Sequence, residues 1–259
     1  MTAADPAAIL AFDGSQVDGS WYTAVTDFAR NTGWLNGVMS AYSSYGIALF
    51  VVLMLVAWWI ARRANASTMT AALAVPAAAV SAYVVNLAIK SVVAEPRPCY
   101  AYPRDFLLEQ CPPISDYAFP SNHTVVTAAM AAALFLISWR LGVLASLATV
   151  VMGISRVYVG AHYPHDVLAG LAVGIVVGLG TAVLLRRYAT PLVEKLGHGR
   201  LRPLLTTAPP VPATTNQPGS IADTNPARIT MCARLFPAHG SSWPPGLRGP
   251  WASHSSACW

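Results

Sequence analysis

Long uncharged apolar runs govern what this chain can fold into. Residues 42–61, 67–89, 124–139, 141–154 and 167–185 contain no Asp, Glu, Lys or Arg. Such runs have no polar face for water, so they must be buried in protein or in lipid. A membrane span needs roughly 20 apolar residues. Three of the five runs meet that length; residues 124–139 and 141–154 are shorter, with only Arg140 between them. A tight helical hairpin is the expected arrangement there, and one long helix through Arg140 is the alternative. The composition agrees: 55% of residues are hydrophobic and 10% charged, against about 25% charged in a soluble domain. The expected fold class is all-α, a polytopic membrane helix bundle with about five transmembrane helices.

Residues 19–40 read differently. Trp21, Val25, Phe28 and Ala29 recur at helical spacing, with Asp27 and Arg30 between them. That pattern predicts an N-terminal amphipathic helix lying in the membrane interface; a sixth, less apolar span competes. The first 20 residues are acidic and lack a basic n-region, so no cleaved signal peptide is expected. From about Pro203 the periodicity stops, and half of the chain's 20 prolines fall beyond it, among Thr, Ser, Gly and Asn. Such a composition buries no core. The expected organisation is an N-terminal segment (1–40), a membrane-embedded domain (41–190) and a disordered Pro-rich cytoplasmic tail (191–259).

Charge gives an orientation. With five spans, Arg62, Arg63, Arg140, Arg186, Arg187, Lys195, Arg200 and Arg202 share one side. The positive-inside rule makes that side cytoplasmic. The net charge of +5 includes no dense basic block, so the excess reads as topology and no nucleic-acid partner is expected. The C-terminus is expected in the cytoplasm and the protein in the plasma (inner) membrane.

Three polar islands then fall together on the opposite, extracytoplasmic side: Lys90 to Arg97-Pro98; Pro120-Ser121-Asn122-His123; and Ser155-Arg156, His162 and Asp166. Ionisable residues at membrane edges are functional candidates. His162 and Asp166 are four apart and share a helix face. A carboxylate beside an imidazole fixes its tautomer and leaves the far nitrogen as base or nucleophile; an ordinary helix cap is the bland alternative. His165 breaks that spacing and is expected to play no part. Lys90 and Arg156, each ending an apolar run, could merely snorkel, but with Arg97 they could clamp a phosphoryl group. Ser121 reads as a helix N-cap, and a helix start is a natural anion cradle. His123 would suit a general acid. The set as a whole suits phosphate-ester chemistry.

The ordered pattern Lys-x6-Arg-Pro, Pro-Ser-x-His, Ser-Arg-x5-His-x3-Asp resembles the type 2 phosphatidic acid phosphatase superfamily, which also includes vanadium haloperoxidases and glucose-6-phosphatase. The resemblance covers residues 42–187. One departure is Asn122, where the family most often has Gly. The resemblance implies that His162 attacks phosphorus and forms a phosphohistidine. It implies that Asp166 orients His162 and that His123 protonates the leaving oxygen and then activates water. Lys90, Arg97, Ser121, Asn122, Arg156 and, less directly, Ser155 would hold the phosphoryl oxygens. It also implies no cofactor and no metal, and the sequence offers no carboxylate cluster to bind one.

The membrane setting argues for a lipid phosphate or diphosphate substrate. The layout looks closest to bacterial enzymes that convert undecaprenyl diphosphate to the monophosphate and so serve cell-wall biogenesis. A phosphatidylglycerophosphate or phosphatidate phosphatase is the near alternative, and a lipid-phosphate transporter or binding protein the non-enzymatic one. Cys99 and Cys111 share the loop after Arg97-Pro98, and their expected oxidising compartment suggests a disulfide, with two free thiols as the alternative. Cys232 and Cys258 fall in the tail, and the four spacings fit no zinc motif.

Overall fold

The computed structural model describes residues 14–207. These residues form helices α1 (Ser15–Asn31), α2 (Gly33–Tyr45), α3 (Ile47–Ala61), α4 (Ala66–Val93), α5 (Pro98–Ala101), α6 (Asn122–Phe135), α7 (Trp139–Tyr158), α8 (Pro164–Gly197) and α9 (Arg202–Leu205). No strand occurs among the described residues, and the protein is an all-α, multi-pass membrane bundle. Three helices are long and apolar enough to cross a membrane, in the regions of α4, α7 and α8; a fourth span arises if the bent pair α2–α3 counts as one. The run expected at 42–61 is broken: α2 and α3 meet at Gly46 with a 53° bend. A β-carbon on Gly46 would stand 2.5 Å from the Tyr42 carbonyl and 2.7 Å from Met152 Cε, so the bend seats bare backbone against α7.

The hairpin around Arg140 forms, with its turn at residues 136–138 and Arg140 itself inside α7. Helix α6 has 14 residues, about 21 Å at 1.5 Å per residue. It lies in the middle of the bundle, packed on α4, α7 and α8, with Thr124, Val125, Ala129, Ala133 and Leu134 wholly covered. Short spans are tolerable when neighbouring protein, rather than lipid, satisfies the ends.

What brings α6 and α8 together is the stripe Gly170, Gly174, Gly178. A β-carbon on Gly174 would fall 2.4 Å from the Val125 carbonyl, and one on Gly178 2.5 Å from Ala129 Cα. Small residues at i, i+4 let helix backbones touch. The close approach aligns the starts of both helices, where the Ser121 N–H donates to the Asp166 carbonyl at 3.1 Å. Gly174→Val is therefore expected to destabilise the bundle by about 1–3 kcal/mol through overpacking, read as a lowered thermal midpoint in detergent.

Helix α4 starts on an Asn65 cap that accepts from the Thr68 N–H at 2.9 Å. Near that start the basic residues gather: Arg186 Nε donates to Ser67 Oγ at 2.9 Å, and an Arg62 terminal nitrogen donates to the Pro203 carbonyl at 2.7 Å. Lys90 lies in the last turn of the same helix. The basic cluster and the polar islands thus occupy opposite ends of α4.

Two details differ from the sequence reading. The segment 19–40 is two helices broken at Thr32. In α1 the face packed on protein is Gly19, Tyr22, Thr26 and Ala29, while Trp21 and Phe28 point outward. The tail assigned to 191–259 begins as ordered structure: α8 runs on to Gly197, and the Thr207 N–H donates to the Arg62 carbonyl at 2.9 Å. The remainder of that tail, with Cys232 and Cys258, and residues 1–13 lie outside the described residues.

Candidate active site

The three islands, far apart in sequence, converge at one end of the bundle. Arg97 caps the short α5; Asn122 and His123 open α6; Arg156 lies in the last turn of α7; Asp166 is in the first turn of α8. His162 lies in the link between α7 and α8. Arg97, Asn122, His123, Arg156 and His162 line one cavity of about 240 Å³. Lys90, Arg97, Arg156, His162 and Asp166 are all buried. None of these cations snorkels to an interface.

His162 is fixed from both sides. Its Nδ1 stands 3.2 Å from Asp166 Oδ2, and its Nε2 stands 3.0 Å from an Arg97 terminal nitrogen. A guanidinium only donates, so Nε2 carries the lone pair and Nδ1 the hydrogen. Burial, followed by the charges of Arg97, Arg156 and Lys90, holds the imidazole well below its ordinary pKa. The ring is therefore a free base at neutral pH, with its lone pair facing the cavity's cations. Asp166 is held in turn: Oδ2 also accepts the Tyr163 backbone N–H at 2.9 Å.

The cations are not empty-handed. Arg97 donates through Nε to the Asp116 carbonyl at 3.1 Å and through its other terminal nitrogen to Asp116 Oδ2 at 2.9 Å. Lys90 donates to the Tyr117 carbonyl and stands 4.0 Å from Asp116 Oδ1. Arg156 binds Ser43 and, at 2.8 Å, Glu109 Oε1, while its buried Nε has no hydrogen-bond partner. Asp116 and Glu109 both come from the link between α5 and α6. They place carboxylate oxygens on the cationic donors around the cavity. The same link is tied to α5 by a disulfide between Cys99 and Cys111, Cα atoms 5.9 Å apart. Because Asp116 is half exposed, its hold on Arg97 is weak and readily exchanged. Asp116→Asn should lower KM for a phosphorylated substrate severalfold and change kcat little, as steady-state kinetics would show.

The second island divides its labour. Asn122 and His123 line the cavity, and Ser121 makes no side-chain cap, leaving the first N–H groups of α6 open to an anion. Ser121 itself is buried behind the cavity: its N–H is bonded to Asp166 and its Oγ accepts from Thr124 Oγ1 at 3.2 Å. Asn122 Oδ1 accepts from Asn86 on α4 at 2.6 Å, a tie that a glycine could not make. Ser155 turns away, donating to the Met152 carbonyl at 2.7 Å within α7.

Sequence spacing gave no sign of Ser43, Asn86, Glu109 or Asp116. It also gave His165 no partner, and here the structure corrects the reading. His165 Nδ1 lies 2.8 Å from Asp18 Oδ1 on α1, and its Nε2 lies 3.2 Å from both oxygens of Glu95. Glu95, His165 and Asp166 form a cluster whose candidate ligand atoms lie within 4.8 Å of one another. The sequence reading found no such cluster because Glu95 and Asp166 are 71 residues apart in the chain (166 − 95).

A membrane helix bundle that buries a free-base histidine, its carboxylate and two arginines beside one cavity offers a cationic site for an anionic group. Residues 71–190 match the PAP2 superfamily, and that stretch is a PAP2 superfamily domain. The matched stretch contains every island residue named above. The chain is 28% identical over 157 residues to an undecaprenyl-diphosphatase of Bacillus subtilis, covering 61% of this chain and 78% of that protein. It is 33% identical to an undecaprenyl-diphosphatase of Sulfolobus acidocaldarius, covering 54% and 66%. It is 35% identical to a lipid A 1-phosphatase of Rhizobium johnstonii, covering 41% and 44%.

Proposed function

We propose that the protein hydrolyses a polyprenyl diphosphate, undecaprenyl diphosphate in a bacterial membrane, to the monophosphate through a phosphohistidine, without a metal and on the extracytoplasmic face. The observation that carries this is the His162 ring, with Nδ1–H on Asp166 and the Nε2 lone pair beside Arg97. The terminal phosphoryl group enters the cavity and its oxygens take over the donors of Arg97 and Arg156, displacing Asp116 and Glu109. The orphaned Arg156 Nε gains an acceptor, and Lys90 and the Asn122 end of α6 complete the cradle, with Ser121 holding that end against α8. Freed of Arg97, Nε2 attacks the terminal phosphorus. The bond to the bridging oxygen breaks, and His123, protonated as the substrate's negative charge enters beside it, supplies that proton to the departing lipid monophosphate. His123 then takes a proton from water, which attacks the phosphohistidine and releases inorganic phosphate and the free imidazole. Arg97, Arg156 and Lys90 stabilise the charge on the equatorial oxygens throughout.

A hydrocarbon-tailed substrate is supported by an apolar cavity of about 460 Å³ between α6, α7 and α8, whose lining begins at Ala128, five residues along α6 from His123. The undecaprenyl assignment is supported by the relatives of that activity. The face is supported by the basic residues at the other end of α4. A reporter fused after Arg187 is expected to read cytoplasmic; a periplasmic reading would reverse the orientation.

The test is phosphate release by detergent-purified protein from polyprenyl diphosphate and from phosphatidate, both with excess EDTA. Metal-independent release that favours the diphosphate is the expected result. Preference for phosphatidate would keep the chemistry and move the protein to phospholipid turnover. No release from any lipid phosphate by folded protein would leave a binding or transport role.

A further inference from the structure

Behind the nucleophile's carboxylate lies a second charged layer that the proposed reaction does not use. Asp166 Oδ2 serves His162 and Tyr163, whereas Oδ1 is buried with no hydrogen-bond partner and stands 3.5 Å from His165 Nε2. Glu95, wholly buried, brings both oxygens to the same nitrogen. Two carboxylates in one buried space repel each other, and one takes up a proton unless a cation lies between them. Lys90, Arg97 and Arg156 are on the cavity side and already engaged.

We infer that His165 is a positioning residue for this reaction: as an imidazolium between Glu95 and Asp18, it keeps Asp166 charged and so keeps His162 oriented. Carboxylate oxygens can only accept, and they face both ring nitrogens of His165, so both nitrogens carry hydrogens. The hold is rigid. Asp18 binds the ring at 2.8 Å through Oδ1 and the His165 backbone N–H at 2.7 Å through Oδ2. The ring stacks between Tyr163 and Phe119, with centroids at 5.5 and 5.8 Å. Asp18 lies outside the superfamily-matched residues, so α1 adds a part of its own to the site. Losing the cation leaves Glu95 and Asp166 to compete for one proton, and a protonated Asp166 no longer polarises His162.

The inference rests on the phosphatase reading, and a charge-balance cycle tests it. His165→Gln is expected to lower kcat roughly 10- to 100-fold with KM little changed, as loss of orientation does. Adding Glu95→Gln removes the uncompensated charge and is expected to restore most of kcat. A role limited to packing predicts that the double variant is as poor as the single or poorer, and that result would overturn the inference, as would a loss expressed in KM. The same variants are read by thermal unfolding, which needs no substrate: His165→Gln should lower the midpoint and the double variant should recover it. A double variant at or below the single overturns the charge balance even if no lipid proves to be a substrate. Wild-type protein that releases no phosphate overturns the functional reading instead. Activity lost in EDTA and restored by a divalent cation would make the cluster a metal site and overturn the inference.

Discussion

His162→Ala should abolish phosphate release, by a factor on the order of 10⁵ in kcat, as expected when a covalent nucleophile is removed. In the proposed reaction the nitrogen that attacks is the one facing Arg97, and alanine leaves nothing in its place. His123 lies in the same cavity, but the described residues provide it with no carboxylate matching the Asp166 bond to His162. His162 is buried, so its loss also costs some stability. Elution in detergent and a thermal midpoint would show whether the variant is folded. Turnover near wild type in folded protein would refute the nucleophile assignment. Incubating wild type with a diphosphate labelled in its terminal phosphoryl group should give acid-labile protein-bound phosphate that His162→Ala lacks.

Asp166→Asn is expected to cut kcat by about 10³- to 10⁴-fold with KM nearly unchanged, the scale seen when an orienting carboxylate beside a catalytic histidine is neutralised. Asparagine keeps the shape and can still occupy the space beside Tyr163. It removes the charge that fixes Nδ1–H and that, in the proposed reaction, stabilises positive charge on the ring as Nε2 bonds to phosphorus. Asp166 does not itself line the cavity, so substrate binding should survive. A matching rise in KM would mean that the residue shapes the cavity instead. Measuring kcat and KM separately, with His162→Ala as the floor, decides between these.

Much of this was legible in the chain because it is written in local spacing. Uncharged runs impose helices on a bilayer, and the hairpin needed only the polar break near Arg140. The four-residue step from His162 to Asp166 does place both side chains together, although His162 precedes the helix and the Asp166 carboxylate reaches back to it and to the Tyr163 N–H. The islands converge because they end helices that α6 gathers into one bundle.

Other features had no local signature. Asp116 and Glu109 sit in a link without periodicity, and their grip on Lys90, Arg97 and Arg156 depends on how that link folds back. His165 looked idle because its partners, Asp18 and Glu95, are 147 and 70 residues away. The bend at Gly46 seats its backbone against Met152 on another helix. Helical spacing and hydrophobicity act between near neighbours, so the sequence alone determined the helices, their membrane setting and the reactive groups at their ends. Buried charges must find partners wherever the packed chain brings them, so only the tertiary structure decided which carboxylate each cation holds and which nitrogen of His162 carries the lone pair.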